Sequence, residues 1–78
     1  MLMIEPTTSV RWTVGRILDE RNISTAEFAR MAQIQYQTAL LLRRGVTTQV
    51  DTRVLGRVCS ALDVQPGDVL VLDEDKAN

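Results

Sequence analysis

The stretch ISTAEFARMAQIQYQTALLLRRG, residues 23–45, constrains this chain more than any other. Ser24 and Glu27 have the spacing of a capping box, in which hydroxyl and carboxylate each accept from the other residue's amide. Ile23 before the box and Phe28 inside it are placed as a hydrophobic staple. A helix is therefore expected to begin at Thr25, to carry Phe28, Ala29 and Ala32 inward, and to stop after Ala32. Gln33 must then make the turn. Gln35, a poor capping residue, opens a second helix in which Ala39 and Leu42 share one face. Gly45 ends that helix, and Arg43 and Arg44 complement its dipole.

The flanking sequence continues in short helices. Val14, Ile17, Leu18 and Arg21 follow helical spacing, and Asn22 suits a left-handed helix end. Asp51 is a cap for a helix carrying Val54, Leu55, Val58, Cys59 and Leu62 at i, i+3, i+4. Gln65-Pro66-Gly67-Asp68 starts a final helical turn, with proline tolerated at its first position. Val10-Arg11-Trp12-Thr13 alternates like a short strand but also fits the first turn of a helix. The reading is all-α, with five short helices. It divides into an N-terminal extension at 1–9, one domain at 10–74 with its two-helix motif at 24–45, and a solvated tail at 75–78.

At 78 residues the chain holds one small domain. So small a domain buries a modest fraction of its surface, which makes dimerisation a reasonable expectation. Cys59 is the only cysteine and there is no histidine, so neither an internal disulfide nor a zinc-ligand cluster is expected. A single thiol in an apolar repeat reads as a buried, inert group and fits a cytoplasmic protein. Met1-Leu2-Met3-Ile4 is too short for a signal peptide or a membrane span, so no membrane partner is expected. Without a histidine base or a Gly-rich phosphate loop, catalysis has little support, and no cofactor or metal is expected.

Net charge is only −1, yet charge is segregated. Between Arg11 and Arg57 eight arginines face four acids, whereas from Val58 to Asn78 five acids face one lysine. A basic middle of this kind can form one phosphate-binding face. It is equally compatible with arginines that merely solvate helix surfaces.

Ile23-Ser24, Glu27-Phe28-Ala29, Ile34, Thr38-Ala39, Leu42 and Gly45 together resemble the phage-repressor and Cro-type helix-turn-helix regulators, the Xre-like family. The second half strengthens the resemblance. Leu55, Val58-Cys59, Ala61-Leu62 and Gln65-Pro66-Gly67-Asp68-Val69-Leu70 look like the CxALxxQPGDxL ending of a small bacterial subgroup. The resemblance spans Val10 to Glu74 and implies a five-helix repressor-like domain with short flanking strands at Val10-Thr13 and Leu70-Asp73.

It further implies a sequence-specific regulator that binds double-stranded DNA as a dimeric repressor on a palindromic site. The helix starting near Gln35 would enter the major groove. Gln35, Tyr36, Gln37 and Leu41 are then the expected base contacts, since glutamine pairs with adenine and an apolar side chain rests on a thymine methyl. Arg30, Arg43, Arg44 and Thr38 are the expected phosphate contacts. Trp12, Val69, Leu70 and Leu72 are the expected dimer interface. The chain departs from the family at Gln33, where glycine is usual, so a strained or reshaped turn is expected. It also departs at Thr25, Val46, Leu40 and Leu41, each of which removes a polar or charged group. Those leucines support an alternative from another class: a protein-interaction module, antitoxin-like or anti-repressor-like, with Leu40 and Leu41 as an apolar contact patch.

Overall fold

The computed structural model describes residues 9–72. Two three-residue strands, β1 (Val10–Trp12) and β2 (Leu70–Leu72), bracket five helices. These are α1 (Val14–Glu20), α2 (Thr25–Ala32), α3 (Tyr36–Arg44), α4 (Thr52–Leu62) and α5 (Pro66–Val69). β1 and β2 pair antiparallel within the chain, with Val10 opposite Leu72, Arg11 opposite Val71 and Trp12 opposite Leu70. Thr13 leaves the expected first strand because its backbone does other work. It caps α1, its carbonyl accepts from Ile17 N–H at 3.2 Å, and its own N–H donates to the Val69 carbonyl at 2.9 Å. The expected second strand holds through Leu72; Asp73, the C-terminal tail and all of the N-terminal extension but Ser9 lie outside the described residues.

Helix starts follow the capping chemistry. Ser24 Oγ accepts from Glu27 N–H at 3.1 Å, the first of the two capping-box bonds and the one that forms. Asp51 Oδ1 accepts from the amides of Arg53 and Val54 at 2.8 and 3.3 Å, which satisfies two orphan donors of α4. At α5 the Asp68 carboxylate accepts from Gln65 N–H at 2.8 Å. Helix ends turn through left-handed residues: Asn22, Gln33, Asp63 and Gly45 all have positive φ. Gln33, at φ 56°, takes a left-handed geometry that glycine adopts most readily, so the turn carries local strain.

The core is aliphatic around one aromatic ring. Val14, Leu18, Phe28, Ala39, Val58 and Val69 are fully buried, with Leu42 and Leu62 beside them. Each comes from a different turn of the helical repeat, so every helix contributes its apolar stripe to one cluster. Val69 belongs to this core at 0% exposure, which removes it from the expected dimer interface. α1 and α3 approach unusually closely. A Cβ built on Gly15 would lie 2.4 Å from the Arg43 carbonyl oxygen, so only glycine fits there. Gly56, exposed in the middle of α4, has nothing within 4 Å of such a Cβ.

The two glycines should respond to alanine with opposite signs. Gly15→Ala must push two backbones apart and should destabilise by about 1–3 kcal/mol. Gly56→Ala should stabilise by about 0.5–1 kcal/mol through helix propensity alone. Urea unfolding reads both, and a neutral Gly15→Ala would contradict the close α1–α3 approach.

Cys59 gives a second expectation. Burial pushes its thiol pKa up, and the Asp68 carboxylate adds to that. The folded pKa therefore lies above the unfolded value of about 8.5. This contribution is fully present below that value and is lost as pH rises through the folded pKa. Stability of Cys59→Ser should accordingly lose this alkaline decline, and the native thiol should resist alkylation at pH 8. Rapid alkylation under native conditions would contradict the burial.

Candidate nucleic-acid interface

α2 and α3 cross on small side chains. Ala29 and Ala32 on α2 and Ala39 on α3 are all buried, so the two backbones can approach without a bulky residue between them. This crossing fixes which way α3 turns its remaining faces. Ala39 and Leu42 point inward. Thr38, Leu40 and Arg43 are half-buried, and Tyr36, Gln37, Leu41 and Arg44 are exposed. Gln35, the residue before the helix, is exposed as well.

The start of α3 is electrostatically open. Gln35 makes no side-chain capping bond, and the first turn holds no acidic residue. The first amides of the helix thus keep unspent donors at the positive end of its dipole. Gln35, Tyr36 and Gln37 surround that end with side chains able to donate and accept. Leu41 sits one turn further along, 36% exposed. Arg30 on α2 and Arg44 in the last turn of α3 are exposed and without salt bridges among the described residues.

Arg43 behaves differently from its neighbour. Its guanidinium turns inward, where Nη1 donates to the Ile23 carbonyl at 3.1 Å and to Thr25 Oγ1 at 3.2 Å. Nη2 pairs with the Asp19 carboxylate of α1. The side chain is only 26% exposed. Arg43 was expected to face a phosphate; here its Nη donors are directed into the chain. The signal for this was faint in sequence, because Asp19 lies 24 residues away.

Beyond α3 the loop is pinned by the single tryptophan. Trp12 Nε1 donates to the Thr47 carbonyl at 3.0 Å, which ties β1 to the segment between α3 and α4. A cleft of about 430 Å³ opens there, lined by Trp12, Leu41, Leu42, Thr47, Val50 and Val54. On the far side of α2, Arg53 and Arg57 stand exposed on α4 beside Met31 and Gln33. The sequence reading passed over these two arginines. Their i, i+4 spacing on the polar face opposite Val54, Val58 and Leu62 was the available signal.

With this geometry in hand, the comparison with known families is decisive. The profile of the Cro/C1-type helix-turn-helix DNA-binding domain matches residues 14–75. The chain belongs to that family. No curated protein and no solved structure gives a significant match. Membership makes this chain a DNA-binding domain. Of the residues expected to act in a Cro/C1-type domain, Gln35, Tyr36, Gln37 and Leu41 lie together on the exposed start and outer face of α3. Arg30 and Arg44 are exposed, Thr38 is half-buried, and Arg43 is committed internally. Trp12 and Leu70 pack against the core, and Leu72 is exposed. Among the described residues, no group of three or more His, Cys, Asp or Glu side chains is placed to hold a metal ion. No helix among them is long and apolar enough to cross a membrane.

Proposed function

We propose that this chain is a sequence-specific transcriptional regulator that acts on double-stranded DNA as a dimeric repressor. The observation that carries the proposal is the open positive end of α3, ringed by Gln35, Tyr36 and Gln37. These side chains read base edges in the major groove, with Leu41 against a thymine methyl. Arg30, Arg44 and Thr38 hold phosphates and set the register. The polar start of α3 supplies discrimination, while the arginines supply affinity without sequence information.

The dimer surface is the β-ribbon. Residues directly opposite one another in an antiparallel pair point to the same side, so Val10, Trp12, Leu70 and Leu72 share a face. Trp12 and Leu70 use that face to pack on the core. Val10 and Leu72 overhang it, 54% and 53% exposed. A two-stranded ribbon is marginal in water unless something covers its apolar side. A second copy would do so, and would place two α3 helices about 34 Å apart for a palindromic site. Val10 takes the place that Val69 was expected to fill.

A second reading keeps the fold but exchanges DNA for a protein partner, in the manner of an antitoxin or anti-repressor adaptor. It is favoured by Tyr36, Leu41, Val46 and Val50, all large, apolar and exposed on or beside α3. Leu40 is half-buried and offers that patch less than expected.

Duplexes selected from a random pool by the wild-type chain test the first reading. Gln37→Ala should weaken binding to the selected duplex by about 5- to 150-fold, the range for one bidentate base contact, and leave an unrelated duplex nearly unchanged. Equal loss on both would remove Gln37 from base readout, and failure to select any duplex would favour the protein-partner reading. Sedimentation at tens of micromolar should show a dimer that Val10→Asp converts to monomer. A wild-type monomer at that concentration would contradict the ribbon interface.

A further inference from the structure

We infer that Arg43 and Asp19 form a positioning brace that sets the tilt of the DNA-reading helix, and that Arg43 governs sequence discrimination without touching DNA. This inference rests on the DNA-reading proposal.

Three acceptors from two separate places converge on one guanidinium. Ile23 and Thr25 bracket the start of α2, and Asp19 lies in the last turn of α1. Arg43 itself lies in the last turn of α3. The side chain therefore couples the far end of the reading helix to both helices that precede it. Its backbone is held as well, because the Arg43 carbonyl sits where a side chain on residue 15 would be. Beside it, Ala39 and Leu42 are the buried side chains of α3, which packs closely on both α1 and α2.

The lever arm gives the brace its consequence. Gln37 precedes Arg43 by six residues, about 9 Å along the axis, and Gln35 by eight, about 12 Å. A tilt of about 10° at the anchored end moves these side chains by about 1.5–2 Å. Recognition tolerates about 0.5 Å of misplacement. A loosened brace thus costs base contacts first. Phosphate contacts made by flexible arginines adjust more readily, so non-specific binding survives.

The acid of the pair makes the test sharp. Removing a carboxylate from a DNA-binding domain ordinarily strengthens binding to every duplex by reducing repulsion. The brace predicts the opposite sign at the selected duplex. Asp19 is 71% exposed, so Asp19→Asn leaves the core intact. Arg43→Lys keeps the charge, which a phosphate contact would accept, but an ammonium has no planar fork to span three acceptors.

The full chain and both variants are titrated by fluorescence anisotropy on the selected and an unrelated duplex across a salt series. Asp19→Asn and Arg43→Lys are each expected to lose about tenfold on the selected duplex. On the unrelated duplex Arg43→Lys should match wild type and Asp19→Asn should bind as tightly or slightly tighter, with the salt slope unchanged in both. Tighter selected-site binding by Asp19→Asn, or wild-type behaviour of Arg43→Lys, would overturn the brace. So would a slope lowered by about 0.9 in Arg43→Gln, because that is the signature of one lost phosphate contact. Absence of any discrimination in the wild type would instead overturn the DNA-reading proposal beneath it.

Discussion

The architecture depends on the close packing of α3 against α1 and α2. A nine-residue helix fixed by two buried side chains, Ala39 and Leu42, leaves most of its surface outward. That economy presents Gln35, Tyr36 and Gln37 to the surroundings, and it makes each remaining restraint matter. Alanine at 39 contributes little hydrophobic area but takes little room where α3 packs on its neighbours. Gly15 permits the close passage of α1. Where a larger helix would rely on area, this one relies on proximity and on the Arg43 guanidinium.

The ends of the chain complete the packing that five short helices leave unfinished. β1 and β2 bring residues 10–12 and 70–72 together, and Thr13 donates its N–H to the Val69 carbonyl across the same junction. Arg21 ties the end of α1 to the end of α4 through the Leu62 carbonyl at 2.6 Å. Trp12 spans the gap between the ribbon and the loop after α3, with an apolar ring against the core and a polar edge on Thr47. The segment that follows α3 is thereby tied to β1, with Thr47 and Val50 lining the same cleft as Leu41.

Much of this was legible in the residues. Ser24, Asp51 and Pro66 marked helix starts, and Asn22 and Gly45 marked ends, because capping is a local interaction between near neighbours. The exposed start of α3 followed from the family resemblance, and the segregated charge pointed to a basic middle. Long-range pairing was not legible. Arg43 beside Arg44 looks like a second surface cation until the Asp19 carboxylate is placed across from it. Val69 sits in an apolar run, Val69-Leu70-Val71-Leu72, and its role depends on the change from helix to strand at Leu70. In α5 it faces the core; the strand that follows puts Leu70 and Leu72 on the ribbon's apolar face. No periodicity could separate them in so short a run. Arg53 and Arg57 were readable as a polar face, but a reading centred on the two-helix motif did not extend to α4.

The central claim is that the open end of α3 reads DNA sequence. The most direct measurement is equilibrium binding of the wild-type chain to the duplex upstream of its own gene and to an unrelated duplex of equal length, each across a salt series. The account predicts parallel steep salt dependence on both, at about 0.9 per phosphate neutralised, with the upstream duplex bound at least about a thousandfold tighter at physiological salt. Weak binding to both duplexes, with shallow salt dependence, would contradict it.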